Sequence, residues 1–451
     1  MGRIFGTDGA RGVANTEITC QLAADIARAT AMILEDELGR PPRILIGRDT
    51  RISGPMLDAA ICAGLSSVGA DSVRVGVVPT PAVAYLVPHL GLDAGIMLSA
   101  SHNPYEYNGI KIFGSQGYKL TDEEEFAIEE IVLDQVKPYP APWGSRLGRT
   151  SQKPEAVQEY IRHIASTVEG DLSGLRVAVD CSNGSASVTA AALLEGLGAQ
   201  CTFLADHPDG LNINRDCGST HLDALVRTVR EGNFHAGVAF DGDADRCLAV
   251  DETGRVVSGD QIMAILGGWL RDRGRLAGDT VVVTTMSNYG FFQFARDHRL
   301  STQITKVGDR YVLEKMREGG FSLGGEQSGH VIFLDHMTTG DGQLTAVQLL
   351  QVMKATGRPL SQLASVMEVY PQVLVNLRAD AYMKSHWETD EVVARVIQEG
   401  NRELGETGRI LVRASGTEPL IRVMVEGRDT DQINRIAHQV ADTIKERLEN
   451  A

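Results

Sequence analysis

Asp241, Asp243 and Asp245 occupy alternate positions in AGVAFDGDADRCLAVDETG (residues 236–254), with only small residues between them. Carboxylates this close can converge on one cation, and three hard oxygen ligands favour Mg²⁺ or Ca²⁺ over zinc. The stretch DGDADRCLAVDE has acids at positions one, three, five and twelve of a twelve-residue calcium loop, the last being Glu252. Position six, where that loop turns on glycine, is Arg246, and the flanks GVAF and CLAV read as strands, not helices. Mg²⁺, with waters and a phosphate oxygen completing an octahedron, fits better.

A second reactive stretch is AGIMLSASHNPYEYNGIKIF (residues 94–113). An apolar strand ends in Ser99-Ala100-Ser101-His102-Asn103-Pro104, and Asn108-Gly109 is expected to turn the chain back into a second strand. The loop tip then exposes the Ser101 hydroxyl. A hydrolytic serine is disfavoured because G-x-S-x-G is absent and neighbouring Ser and His point apart on an extended chain. A serine that carries a phosphate suits the loop, with Lys111 to offset the charge.

Two further turns could hold a sugar phosphate. In SLGGEQSGHVIF (residues 322–333), glycines bracket Glu326, Gln327, Ser328 and His330, and Glu with Ser can grip vicinal hydroxyls. In RILVRASGTEPLIRVMVEG (residues 409–427), Arg413, Ser415, Gly416 and Thr417 lie between two strands with Arg422 beyond. Guanidinium, hydroxyls and backbone N–H groups there make an anion nest. RIFGTDGARG places Arg11 among glycines, and KVGDRYV offers Lys306 and Arg310.

The elements that must position these groups follow from hydrophobic patterning. Residues 43–65, 175–197 and 279–298 each read as a short β-branched strand, a polar turn and a helix-like stretch. Three such units predict three similar α/β domains with mixed sheets. From about residue 370 the strands QVLVNLRA, GRILVRA and LIRVMVEG lead to an amphipathic helix, a smaller C-terminal α+β domain. In that helix Ile433, Ile436, Ala437, Val440, Ala441, Ile444 and Leu448 form one stripe, and Asp429 to Asp431 supply capping groups. The Pro/Gly-rich stretch 137–156 is the clearest linker, and the expected domains are 1–150, 151–253, 254–367 and 368–451.

With 451 residues, 43% hydrophobic and 23% charged, the chain can bury several cores. A net charge of −16 without a basic block argues against nucleic acid and anionic membrane as partners. Six scattered cysteines with no CxxC pair, no signal-peptide stretch and no run of membrane-spanning length predict a cytoplasmic protein with reduced thiols.

Together and in this order, FGTDGARG, SASHNP with NGIK, DGDADR, GEQSGH and RASGTEPLIRV resemble the α-D-phosphohexomutase family, over residues 5 to 423. The resemblance implies four domains around a central cleft, each supplying one loop. It implies Ser101 as phosphoserine and metal ligand, with Asp241, Asp243 and Asp245 holding one Mg²⁺ per subunit. Arg11, Lys111 and His330 become candidates for charge stabilisation and proton transfer. Glu326 and Ser328 would read sugar hydroxyls, and Arg413, Ser415, Gly416 and Thr417 a distal phosphate. Arg246, Lys306, Arg310 and Arg422 complete the substrate-binding set. FGTDG, GEQSGH and SGTEPLIRVMVEG look most like members that interconvert glucosamine 6-phosphate and glucosamine 1-phosphate, feeding UDP-N-acetylglucosamine and cell-wall precursors. Glucosamine 1,6-bisphosphate or glucose 1,6-bisphosphate would act as activator. Ser101 would be primed by a kinase or by autophosphorylation, and the chain would form a homodimer. Alternatives are a glucose or mannose phosphate mutase, a metal-dependent sugar phosphatase, or a non-catalytic sensor. Ala10 and Ala244 depart from the family, standing where relatives commonly have Ile and where many have Gly.

Overall fold

A computed structural model describes residues 2–6, 8–415 and 419–449. It divides into two compact units, residues 1–286 with 299–366, and residues 287–298 with 367–451.

In the first unit a seven-stranded sheet contains β1 (Phe5–Gly6), β2 (Gly9–Val13), β3 (Arg43–Arg48), β4 (Asp71–Val77), β5 (Ala94–Leu98), β6 (Tyr107–Gly114) and β7 (Thr150–Gln152), ordered β1-β2-β6-β5-β3-β4-β7. A five-stranded sheet contains β8 (Arg176–Asp180), β9 (Gln200–Leu204), β10 (Ala236–Phe240), β11 (Cys247–Asp251) and β12 (Val256–Val257). A four-stranded sheet contains β13 (Thr280–Thr284), β14 (Ser301–Thr305), β15 (Leu323–Gly325) and β16 (Val331–Phe333).

One arrangement recurs in all three. The orders β4-β3-β5-β6, β9-β8-β10-β11 and β14-β13-β15-β16 each place three parallel strands beside one antiparallel strand. The parallel strands are buried runs: Ile44, Leu45 and Ile46, then Val177 to Val179, then Val281 to Val283, all at most 1% exposed. Apolar side chains on both faces oblige each sheet to be covered on both sides. The helices Gly54–Ser67, Ala190–Gly196 and Tyr289–Asp297 follow the first strand of each set, where the sequence places them.

Two expectations need correction. Asn108 and Gly109 lie inside β6, and residues 99–106 make the turn. Glycine is needed at 109 for close strand approach, since a Cβ would sit 2.5 Å from Ser99 O and 2.8 Å from Ala10 O. The stretch read as linker also ends in structure: β7 pairs in parallel with β4, Ser72 opposite Thr150.

The second unit holds an antiparallel sheet ordered β17 (Gln372–Arg378), β19 (Leu420–Gly427), β18 (Gly408–Ala414). Helix Thr430–Leu448 lays its whole expected stripe on this sheet, burying Ile433 to Leu448 against Ile421, Val423 and Val425. Asp429 caps it by accepting from Asp431 N and Gln432 N. Helix Tyr289–Asp297 belongs to this unit, held by an exchange in which Asn288 Nδ2 donates to Tyr370 O at 3.0 Å and Tyr370 N to Asn288 Oδ1 at 2.9 Å. Among the described residues no helix is long and apolar enough to cross a membrane. All six cysteines are free thiols.

Candidate active site

The three sequence-predicted loops of the first unit are the same loop three times. Residues 99–106 join β5 to β6, residues 241–246 join β10 to β11, and residues 326–330 join β15 to β16. Each leaves the carboxyl end of a parallel strand, the edge at which α/β sheets bind ligands.

The loops touch. Ser101 is fully buried and its Oγ donates to Asp241 Oδ2 at 2.6 Å. Cys247 N donates to Gly329 O at 3.0 Å, and His330 Nδ1 lies 3.7 Å from Asp245 Oδ2. Gly242 has no room for a side chain, because a Cβ there would meet Ser101 O at 2.5 Å. The strands flanking the acidic loop exclude the helical calcium motif.

Asp241, Asp243 and Asp245 are at most 3% exposed and present ligand oxygens within 4.8 Å of one another. Lys111, on β6, donates from Nζ to Asp243 Oδ2 at 2.8 Å and lies 3.5 Å from Asp245 Oδ2 and 3.3 Å from Asp8 Oδ2. Thr80 Oγ1 also donates to Asp243 Oδ2, at 2.6 Å. Among the described residues Asp243 Oδ1 and Asp245 Oδ1 are buried with no hydrogen-bond partner. Two orphaned carboxylate oxygens beside a third carboxylate are what a small hard cation requires, so the residues fit Mg²⁺.

Electrostatics divide the triad. Burial, then Asp245 and Asp243, push the Asp241 carboxyl well above its ordinary pKa. Burial also opposes ionisation of Asp245, but Lys111 and His330 outweigh it and hold that carboxyl well below the usual range. Asp243 is likewise lowered, burial and Asp245 being overcome by Lys111 and Thr80. Burial works against the Lys111 cation too, and Asp243 with Asp245 raise its pKa nonetheless.

The cationic side is equally incomplete. Arg11 is ion-paired to Asp8, yet its Nε and that of Arg246 are buried without a hydrogen-bond acceptor among the described residues. Unmet donors and unmet acceptors facing one region suit an anion and a metal together. Ser328 Oγ is also buried and unpartnered, while Glu326 Oε1 accepts from Gly308 N at 3.1 Å. Lys306 is exposed, and Arg310 is engaged with Asp122, with Glu125 Oε2 at 3.1 Å and with Leu120 O at 2.7 Å.

Ser101 and His102 do not point apart. Ser101 has a left-handed backbone, φ 51°, and this brings His102 Nδ1 to 3.2 Å from Oγ. Burial, with Arg246 and Arg11 nearby, pushes His102 down to a pKa of about 4. Ala244, one of the two positions at which the sequence departs from the family resemblance, is also left-handed, φ 55°, a conformation that glycine adopts without strain. The backbone costs alanine ~1–2 kcal/mol. Its buried methyl regains ~0.8 kcal/mol, and glycine would lose ~0.5–1 kcal/mol more chain entropy. Ala244→Gly is therefore expected to shift urea-unfolding stability by less than about 1 kcal/mol in either direction, since these effects offset one another. A gain of about 2 kcal/mol or more would show that the loop strains alanine beyond its backbone cost, and a loss of that size that the methyl is held more tightly than burial alone accounts for.

Several groups at this site were not read from the sequence. Asp8, Lys119 and Asp309 form a chain: Lys119 Nζ donates to Asp8 Oδ1 at 2.6 Å and to Asp309, and Asp309 Oδ2 lies 3.8 Å from His330 Nε2. Asp8 sits within FGTDGARG and Asp309 within KVGDRYV, so the motifs contained them, but neither spacing marks an acid that pairs with a distant lysine.

In the second unit Arg413 and Arg422 stand directly opposite on β18 and β19. Burial, then Arg422, lower the Arg413 pKa. Ser415 N donates to Leu420 O at 2.8 Å. Gly416 and Thr417 lie outside the described residues.

Comparison with known proteins gives a consistent result along the whole chain. Residues 2–138, 158–254 and 258–370 match the phosphoglucomutase/phosphomannomutase alpha/beta/alpha domains I, II and III, and residues 374–443 match the C-terminal domain of that family. A phosphoglucosamine mutase of Acetivibrio thermocellus is 51% identical over 448 residues, 99% of this chain and 100% of that protein. One from Ruminiclostridium cellulolyticum is also 51% identical, with the same coverage. Among solved structures, a phosphoglucomutase/phosphomannomutase family protein of Burkholderia thailandensis has TM-score 0.84 at 24% identity, covering 99% of this chain and 98% of that one. Aspergillus fumigatus N-acetylphosphoglucosamine mutase, in complex with GlcNAc-6P and magnesium, has TM-score 0.69 at 17% identity, covering 98% of this chain and 95% of that one.

Proposed function

The chain belongs to the phosphoglucomutase/phosphomannomutase family, and from that premise we propose that it is a phosphoglucosamine mutase. It interconverts glucosamine 6-phosphate and glucosamine 1-phosphate, supplying amino sugar for UDP-N-acetylglucosamine. The observation that carries this reading is the contact between the buried Ser101 hydroxyl and Asp241, in a triad with two unmet oxygens. Relatives named phosphoglucosamine mutase, at 51% identity over full length, support the amino-sugar substrate.

In the reaction, phosphoserine 101 gives its phosphoryl group to the free hydroxyl of the sugar phosphate. The Ser101 Oγ–P bond breaks as a bond from sugar oxygen to phosphorus forms, and the sugar proton passes to a neighbouring base. The 1,6-bisphosphate turns round and returns its other phosphoryl group to Ser101, restoring the enzyme. Glucosamine 1,6-bisphosphate or glucose 1,6-bisphosphate primes the cycle. The first phosphate reaches Ser101 from such a bisphosphate, by autophosphorylation or from a kinase.

Such transfers need positioning and charge neutralisation more than covalent help. Bound Mg²⁺ would supply positive charge to the transferring oxygens from Asp241, Asp243 and Asp245, with Ser101. In the phosphorylated chain Ser101 has no proton to give Asp241, so Asp241 Oδ2 joins the oxygens already free on Asp243 and Asp245. Lys111 offsets the triad's charge, and the Nε–H groups of Arg11 and Arg246 face the anion. His330, between Asp245 and Asp309, is the candidate proton carrier. Glu326 and Ser328 read the sugar hydroxyls, Ser328 with a hydroxyl still unpartnered. Arg413, Ser415 and Arg422, with Gly416 and Thr417, hold the phosphate that does not react, relieving the repulsion of two opposed arginines. We place the enzyme in the cytoplasm, in line with its free thiols, and propose that it acts as a homodimer.

Turnover of glucosamine 6-phosphate, glucose 6-phosphate and mannose 6-phosphate, with Mg²⁺ and a trace of bisphosphate, tests this directly. The amino sugar is expected to have the highest kcat/KM, by about tenfold or more. Comparable values on all three would defeat the amino-sugar assignment while leaving the family.

A further inference from the structure

The Ser101 loop is clamped from behind by side chains that belong to none of the chemical motifs. Arg51, just past the carboxyl end of β3, is wholly buried. Its Nη2 donates to Ser101 O and to Asn103 O, each at 2.9 Å, and its Nη1 donates to Pro104 O. The guanidinium is aimed by Asp49, equally buried, whose Oδ2 accepts from Arg51 Nε at 2.8 Å. The same Asp49 oxygen accepts from Ser99 Oγ at 2.7 Å, and Ser99 Oγ in turn accepts from Ser101 N at 2.9 Å.

A second donor comes from the domain that carries the acidic loop. Asn214 Nδ2 donates to Ser101 O and to Asn103 O, both at 2.9 Å, the same two carbonyls that Arg51 holds. Two donors from two domains thus converge on one peptide segment. The segment 49–52 also binds that second domain: Thr50 Oγ1 donates to Asn183 O at 2.6 Å and Ile52 N to Gly210 O at 2.9 Å.

We infer that Arg51 and Asn214 are positioning residues for phosphoryl transfer. By gripping Ser101 O and Asn103 O they hold the left-handed Ser101 backbone that aims Oγ at Asp241. A carbonyl that accepts two N–H groups has both lone pairs engaged, so the loop cannot rotate about that peptide without losing both bonds. Left-handed serine is otherwise unfavourable and persists only where the surroundings over-determine it. This rests on the mutase reading in one respect: an enzyme that donates and recovers a phosphoryl group many times must return the same oxygen to the same place. A loosened loop misaligns transfer to sugar and lets water compete for the phosphate.

The test uses two replacements at one position, Asn214→Asp and Asn214→Gly. Asn214 is itself left-handed, φ 58°, a conformation that Asp and Gly both tolerate. Asp keeps the shape and replaces the donor by an acceptor facing two carbonyls, while Gly only removes the donor. Both variants are expected to lower kcat by about tenfold or more with KM within about twofold. They should release more inorganic phosphate per isomerisation and exchange the amides of residues 99–103 faster than wild type. Donation predicts that Asn214→Asp is impaired at least as much as Asn214→Gly. A merely shape-filling side chain predicts the opposite order, and that order overturns the inference. So does unchanged amide exchange at 99–103, whatever the activity. Arg51→Lys, which keeps the charge but cannot fork across three carbonyls, is expected to show the same kinetic pattern. Failure of wild type to isomerise any hexose phosphate would instead count against the functional reading, and the exchange experiment decides the clamp independently.

Discussion

Ser101→Ala is expected to lower isomerisation by about 10⁴-fold or more, because loss of a covalent participant removes the reaction path itself. The protein should also lose the phosphate that mass spectrometry detects on wild type. The fold is expected to survive. The loop backbone is held through Ser101 N, Ser101 O and Asn103 O, none of which the substitution touches. The contacts removed are those from Oγ to Asp241 Oδ2 and to His102 Nδ1. Asp241, whose carboxyl is already pushed well up by burial and its acidic neighbours, can keep a proton there. A melting temperature within a few degrees of wild type, with activity gone, is the expected pair of results. Near-normal turnover by Ser101→Ala would sink the phosphoserine mechanism, and a collapsed fold would show that Oγ is structural.

The second large effect is expected on removing the divalent metal. Chelation should cut turnover by about 10³-fold or more, since electrostatic stabilisation of a transferring phosphoryl group is the main catalytic contribution in this chemistry. Added Mg²⁺ should restore it. Stability offers a readout that does not depend on turnover. Two buried carboxylate oxygens, Asp243 Oδ1 and Asp245 Oδ1, lack any hydrogen bond among the described residues, and a cation bound only by the folded chain would satisfy them. At a hundredfold excess over its Kd, Mg²⁺ is expected to add about 2.7 kcal/mol and raise the melting temperature by a few degrees. Asp243→Asn should abolish most of that increment. Equal stabilisation of wild type and Asp243→Asn by Mg²⁺ would place the metal elsewhere.

Lys111 explains why such a triad is tolerated at all. Three acids in a buried loop repel one another, and a fully buried ammonium at 2.8 Å from Asp243 and 3.5 Å from Asp245 offsets much of that repulsion. The sequence offered Lys111 as a partner for a phosphate on Ser101. In the fold it is ion-paired with Asp8, Asp243 and Asp245, so it offsets the charge of the acidic loop.

Much of the architecture was legible because it is written in short-range patterns. Unalternated β-branched-rich runs such as Ile44 to Ile46 and Val281 to Val283 favour strands covered on both faces, and the stripe Ile433 to Leu448 favours a one-sided helix, as both prove to be. The acidic triad was legible for the same reason, its three carboxylates lying within five residues of chain. Tertiary structure alone decided whatever depends on residues far apart in sequence. The equivalence of the Ser101, Asp241–Arg246 and Glu326–His330 loops appears only once the three sheets show the same strand order. The left-handed Ser101, which overturns the expectation that Ser101 and His102 diverge, is set by donors 50 and 113 residues away, Arg51 and Asn214. Local sequence carries propensity and periodicity. It does not carry the meeting of a guanidinium and an amide on one carbonyl, because nothing in the spacing of Arg51, Ser101 and Asn214 distinguishes that clamp from three ordinary polar residues.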